Sequence, residues 1–211
     1  MRSCLVLDLD ETLIHTDKRQ FIVIKKYFEF NGIELSLSYE DYKITKMLTN
    51  KSNLDIFRLL NSRKLNEKDF QFFFTKNIEN IDYLLLDEPI INLKLLQTLK
   101  FQKGYNLILL SLRSNYENSI KQMHNLFLYD FFDEIYFEKH STQFNPKTNR
   151  LKQIQNKYSE IQFIGDSKSD LEAAEEVGIE FIKVNTGVFD FNFSGESFSD
   201  INLLIKSKYV I

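Results

Sequence analysis

The sequence predicts an α/β protein: a doubly wound, mostly parallel sheet with helices on both faces and one helical insertion. Three observations carry that prediction. Five short runs are rich in β-branched and other apolar residues, and their apolarity is continuous rather than alternating, as in strands covered on both sides. Helix-patterned segments separate the last four runs. The alternation is interrupted once, over residues 17–87, where no strand pattern recurs.

The first strand is CLVLD (4–8). Four segments then pattern as helices: KRQFIVIKKYFEFNG, SYEDYKITKMLTN, SNLDIFRLLNSR and NEKDFQFFFTKNIENIDYLLL. Asn31-Gly32 is a turn signal, and Ser52 or Asn53, and Asn66, stand where N-caps belong. The α/β rhythm resumes at Glu88. A helix over 90–102 ends at Gly104 and leads into strand YNLILL (105–110). A helix over 115–129 precedes strand EIYF (134–137), and a helix over 146–158 opens on Pro146, whose missing N–H costs little in a first turn. Strand IQFIG (161–165), a helix over 168–178 closing on Gly178, and strand IEFIKV (179–184) follow. The expected organisation is a core of 1–16 and 88–211 with a helical unit of 17–87 inserted after the first strand. There is no internal repeat and no low-complexity linker.

Of the 211 residues, 43% are hydrophobic, enough for a sizeable core, and six Gly and two Pro argue against a disordered chain. The net charge of −3, with both signs well mixed, offers no general attraction to nucleic acid or anionic membranes. A single cysteine, Cys4, excludes an intrachain disulfide and fits a reducing compartment. The first apolar run is too short and acidic for a signal segment, and no apolar stretch approaches the ~20 residues of a membrane helix. The expectation is a soluble cytoplasmic protein without nucleic-acid or membrane partners.

In open α/β sheets, ligands bind beyond the carboxyl ends of the strands. The first strand ends on Asp8, with Asp10 two residues on. The second leads to Ser111, Arg113 and Asn115, the third to Glu138, Lys139 and His140, and the fourth to Asp166, Ser167 and Asp170. Lys147 opens the helix before the fourth strand. If the first, second and fourth strands are neighbours, several carboxylates share one crevice with a lysine, a serine and an arginine. Crowded carboxylates push each other's pKa upward. A hard divalent cation with oxygen ligands relieves that, Lys147 adds counter-charge, and such a site suits a phosphate ester.

DLDETL, with its D-x-D-x-T spacing, resembles the nucleophile motif of the haloacid dehalogenase-like superfamily. Ser111 after LILL matches the second motif of that family, Lys147 in KTNRL the third, and GDSKSD (165–170) the fourth. All four occur in the family's order across the core. The insertion is similar to the cap of the subgroup that includes phosphoglycolate phosphatase and β-phosphoglucomutase. The resemblance implies a Rossmann-like sheet with strand order 5-4-1-2-3, counting the five strands above. It implies a Mg²⁺-dependent phosphatase for a small phosphorylated metabolite, working through an aspartyl-phosphate. Asp8 would be the nucleophile and Asp10 the general acid and base, an acid that the family's dehalogenases and phosphonatases lack. Mg²⁺ would be held by the Asp8 side chain, the Asp10 carbonyl and Asp166, with Asp170 supporting that shell. Ser111 and Lys147 would contact the phosphoryl group, and Thr12 would steady the Asp10 turn beside them. Lys147 lies closer to Asp166 along the chain than in many relatives, which leaves Lys139 as an alternative.

Other readings stay open at this level. A phosphomutase would use the same core. LDLDETLIHT also resembles the nucleophile motif of small C-terminal-domain protein phosphatases, although those lack a large insertion here. A non-catalytic phosphate-binding module is a further alternative. Arg113 is either a phosphate contact or a solvated residue at a helix start. Asp166 and Ser167 double as candidate N-caps, and Asp170 as a first-turn acid favouring the helix dipole. His15 reads as a hydrogen-bonded residue at the hinge, Cys4 as packing, DFQFFF as helical core, and Lys25-Lys26 as a solvated face. His124 and His140 lack metal-ligand spacing. The identity of the substrate is not written in any of these motifs.

Overall fold

The structure, a computed structural model, describes residues 3–61, 65–187 and 191–210. Its strands are β1 (Ser3–Leu7), β2 (Ile14–His15), β3 (Glu88–Pro89), β4 (Asn106–Leu112), β5 (Glu134–Glu138), β6 (Glu160–Gly165), β7 (Glu180–Val184) and β8 (Ser197–Phe198). Six of them form one sheet in the order β5-β4-β1-β6-β7-β8, parallel at every pairing. For the five strands expected from sequence this is the 5-4-1-2-3 order. β8 adds an edge that its two residues were too short to announce.

Side chains alternate across each strand, and the two faces collect separate cores. Leu5, Leu7, Leu107, Leu109, Ile164 and Ile182 point to one side, and Cys4, Val6, Ile108, Leu110 and Phe163 to the other. Burial on both faces is why these strands read as continuous apolar runs.

The helices are α1 (Asp17–Phe30), α2 (Tyr39–Thr49), α3 (Asn53–Leu60), α4 (Glu67–Asn77), α5 (Ile81–Leu84), α6 (Leu93–Gln97), α7 (Tyr116–Asn125), α8 (Pro146–Gln155), α9 (Lys168–Val177) and α10 (Ile201–Lys208). Leu96 of α6, Met123 of α7 and Leu204 of α10 cover the first face of the sheet; Leu151 of α8 and Ala173 of α9 cover the second. The helix expected over 90–102 is α6 running into a π-helical turn, Thr98–Gln102. The helix expected over 115–129 stops early, and Phe127 takes a left-handed φ of 56° just beyond it.

Between β2 and β3 lie α1 to α5, which build their own aromatic core. Phe57 and Phe70 stack at 4.2 Å, and Tyr27 meets both edge-on. DFQFFF contributes Phe70 to this core and leaves Phe72 exposed. The last expected segment here splits into α4 and α5, because Asn80 caps a new helix by accepting from Asp82 N. Ser52, not Asn53, caps α3, in a reciprocal capping box with Asp55. β2 and β3 pair antiparallel, Ile14 with Pro89 and His15 with Glu88, so the chain enters and leaves the helical segment side by side. Among the described residues no helix is long and apolar enough to cross a membrane.

Candidate active site

β1 lies between β4 and β6, so its carboxyl end is flanked by theirs. Asp8 follows β1 and stays in register through its backbone N–H, which donates to the Ile164 carbonyl at 3.0 Å. The chain then turns tightly, with the Leu9 carbonyl accepting from the N–H groups of Leu13 (2.9 Å) and Ile14 (3.1 Å). Glu11 takes a left-handed φ of 57° inside this turn, and its carboxylate accepts from the Thr16 N–H at 2.9 Å. The turn presents Asp8 and Asp10 to one cleft of about 400 Å³. Ser111, Lys147 and Asp166 line the same cleft, together with Gln20, Lys46, Ser52 and Asn53 from the helical segment.

Lys147 reaches Asp8 because Asn145 caps α8 and anchors it to α9, its side-chain amide donating to the Ser169 carbonyl at 2.7 Å. The Lys147 ammonium donates to Asp8 Oδ1 at 2.6 Å and to Asp170 Oδ1 at 2.5 Å. Lys139 is exposed and Lys147 is buried, which separates the two candidates for the lysine position. Burial alone would lower the Lys147 pKa, but Asp170 and Asp8 outweigh it and hold the ammonium above its ordinary range.

Asp170 is fully buried. Besides Lys147 it accepts from the Ser167 hydroxyl at 2.7 Å, so it completes the capping box in which Ser167 caps α9, as well as balancing the lysine. Gly165 makes this possible, since a Cβ there would meet Asp170 Oδ2 at 2.6 Å. Asp166 is half-buried and accepts from the Thr12 hydroxyl at 3.3 Å. A Cβ on Gly187 would lie 2.2 Å from Asp166 Oδ2, so that position too must be glycine for the carboxylate to keep its place.

Carboxylate oxygens of Asp8, Asp166 and Asp170 all lie within 4.8 Å of one another. Burial, then the neighbouring carboxylates, push Asp8 and Asp166 well above the usual carboxylate range, against the pull of Lys147. One ammonium does not balance three carboxylates. The donor set is all oxygen, which fits a hard divalent cation. Asp170 is committed to Lys147 and Ser167, whereas Asp8 and Asp166 border the cleft.

Asp10 has different company. Its Oδ1 accepts a short hydrogen bond from Arg113 and a second at 3.3 Å from Arg19 in α1. Both arginines are buried. Arg19 also pairs with buried Asp87 at 3.3 Å, and Asp87 accepts from Gln122 of α7 at 2.6 Å. Burial, opposed by Arg19, pushes the Asp87 carboxyl up to about 7. Burial and then Arg113 lower the Arg19 pKa. Arg113 is therefore not a solvated residue at a helix start. It is buried against the carboxylate two residues beyond Asp8.

Sequence patterning does not reveal Arg19, Asp87 and Gln122, because the packing that joins them is tertiary. Asp87, standing just before the rhythm resumes at Glu88, was the one positional hint. Lys46 carried a faint signal: it lies four residues after Tyr42, on the face that an amphipathic helix buries. His15 is exposed and sits 3.5 Å from Glu11, His124 stacks on Tyr129, and Cys4 is buried packing.

Known proteins share this fold. The sequence profile described as haloacid dehalogenase-like hydrolase matches residues 5–184. No curated protein matches the chain. Solved structures do. A predicted phosphoglycolate phosphatase from Haemophilus somnus 129PT superposes with a TM-score of 0.71 at 18% identity, over 98% of this chain and 97% of that one. A predicted phosphatase from Clostridium acetobutylicum gives 0.72 at 14% identity over all of both chains. CbbY from Rhodobacter sphaeroides, in complex with phosphate, gives 0.63 at 19% identity over 95% of each. At these identities the structural likeness speaks for the fold, while the profile spans most of the sequence: the protein belongs to the haloacid dehalogenase-like hydrolases.

Proposed function

We propose that the chain is a Mg²⁺-dependent phosphatase for a small phosphorylated metabolite, with residues 17–87 acting as a cap over the cleft. The observation that carries this is the pairing of two carboxylates on one turn, Asp8 against Lys147 and Asp10 against Arg113. Asp8 attacks phosphorus while the ester oxygen leaves with a proton from Asp10, giving an aspartyl-phosphate. Asp10, now ionised, takes a proton from water. That water attacks phosphorus, the acyl-phosphate bond breaks, and Asp8 and inorganic phosphate are released.

Lys147 holds Asp8 in place and neutralises phosphoryl charge, and the Ser111 hydroxyl donates to a phosphoryl oxygen. Arg113, buried beneath Asp10, holds that carboxylate in place. Mg²⁺, held by the Asp8 and Asp166 carboxylates and the Asp10 carbonyl, would screen the carboxylates from the incoming phosphate. Asp170 orients Lys147.

Cap residues lining the cleft favour a small substrate over a phosphopeptide. The mixed charge and the single, buried cysteine favour a cytoplasmic setting without nucleic-acid partners. Phosphate release from a panel of phosphorylated metabolites, with and without Mg²⁺, tests the proposal. Equal release by wild type and Asp8→Asn would remove it.

A further inference from the structure

The cap side of the cleft carries a cation that this chemistry does not use. Lys46 of α2 is 4% exposed and lines the same cleft as Asp8, Asp10 and Lys147. The other buried cations around the cleft have carboxylate partners: Lys147 has Asp8 and Asp170, Arg19 has Asp10 and Asp87, and Arg113 has Asp10. Lys46 has an amide. Its ammonium donates a short hydrogen bond to Gln20 Oε1, and its Nζ lies 5.7 Å from the centroid of the Tyr42 ring. Among the described residues no carboxylate stands within ion-pair distance of it. Glu11 and Asp17 act only from farther off, and burial pulls the ammonium down to about 8 against them.

The groups around Lys46 are fixed and largely satisfied by each other. Gln20 Oε1 also accepts from Asn53 Nδ2 at 3.0 Å, Gln20 Nε2 donates to the Thr16 hydroxyl at 2.7 Å, and Asn53 Oδ1 accepts from the Tyr42 hydroxyl at 3.0 Å. An ammonium has three N–H donors, and Gln20 takes one. Burying a charge without a counter-charge is costly, and among the described residues no ion pair offsets that cost for Lys46.

We propose that Lys46, flanked by Ser52 and Asn53, is an anion subsite for the leaving-group end of the substrate. The substrate is then a short phosphate monoester whose alcohol portion bears a second negative group, a carboxylate or a second phosphate. This rests on the phosphatase reading above: Asp8 and Lys147 take the phosphoryl group that is transferred, and Lys46 supplies a counter-charge from the helical segment that lines the same cleft. A cleft of about 400 Å³ holds a ligand of that size.

Two matched pairs of esters test this. One is a phosphorylated hydroxy acid and the same ester with its carboxylate replaced by a primary amide. The other is a short polyol bisphosphate and its monophosphate. In wild type, kcat/KM for the anionic member of one pair should exceed that for its neutral partner by about tenfold to a hundredfold, and the pair that responds identifies the group. Lys46→Met and Lys46→Gln should both bring that ratio near one. Calorimetric binding of the same esters to Asp8→Asn, with and without Lys46→Met, reads the preference without turnover. Equal handling of both members by wild type, or a ratio unchanged in both variants, overturns the subsite and leaves the phosphatase reading standing. Failure of wild type to hydrolyse any ester, an aryl phosphate included, overturns the phosphatase reading itself. Selective binding by Asp8→Asn would then still decide the subsite.

Discussion

Asp8 and Asp10 are two residues apart and live in opposite electrostatic surroundings. Asp8 shares one ammonium with Asp170 and crowds against Asp166, so its neighbourhood carries surplus negative charge. Asp10 faces two buried guanidiniums and is itself a third exposed. The proposed nucleophile would benefit from the first arrangement, because the surplus favours a cation that would make a phosphate approachable. The proposed proton carrier would benefit from the second, because the guanidiniums hold its carboxylate apart from the Lys147 pairing of Asp8. The turn at Leu9 gives adjacent carboxylates these separate environments, and the helical segment supplies half of the second one through Arg19.

Removing either carboxylate is the strongest way to break the comparison. Asp8→Asn should cost at least about 10³-fold in turnover on every ester. Asp10→Asn should cost about 10²- to 10⁴-fold on alkyl phosphates but markedly less on an aryl phosphate, whose leaving group needs no proton. Equal losses on both ester types would show that Asp10 does not protonate the leaving group.

Next in size is Lys147→Met, which leaves two carboxylates buried without their cation. Urea melts should show a loss of about 3–5 kcal/mol, partly restored by adding Asp170→Asn. A loss under about 1 kcal/mol would mean that solvent already reaches the triad.

Mg²⁺ should raise the melting temperature of wild type, with a stabilisation of roughly 2–3 kcal/mol at a hundredfold excess over its Kd. Asp166→Asn should lose that response, and Asp10→Asn, which keeps the backbone carbonyl, should retain most of it.

The smallest effect concerns the arginine side. Burial raises Asp87 from the ordinary 3.8 to about 7, against the pull of Arg19. Between those values the folded state holds a proton that the unfolded chain has released, so stability falls as pH rises through that window. Asp87→Asn removes this titration. The stability of wild type minus that of Asp87→Asn should therefore drop by about 2 kcal/mol from pH 5 to 7. A flat difference would mean that Arg19 keeps Asp87 ionised throughout.

These contrasts also mark where sequence reasoning stops. Five strands of the sheet were legible as continuous apolar runs, but their order came only through the family resemblance. Asp8, Ser111, Lys147, Asp166 and Asp170 stood out because each sits at a strand end or helix start with the motif spacing. Asp10 was legible as a residue, but its arginine partners were not. Arg113 carried two readings, and its burial under Asp10 excludes the solvated one. Arg19, Asp87 and Gln122 come from helices and a loop whose relative placement depends on tertiary packing. Lys46 hid for a related reason. On a helix a lysine at a core-facing position looks like a solvated one until its neighbours are known. The β2–β3 pair was invisible because two-residue strands carry no period.

The sheet also bears on how the chain is made. β1 is a central strand, yet Leu5 pairs with Leu107 on one side and Gln162 on the other. At ~5–20 residues per second, a ribosome needs several seconds to produce the first of those partners and several more for the second. During that interval CLVLDL is an apolar strand with two open edges. The segment made next, α1 to α5, holds a core of its own and can condense before the sheet exists.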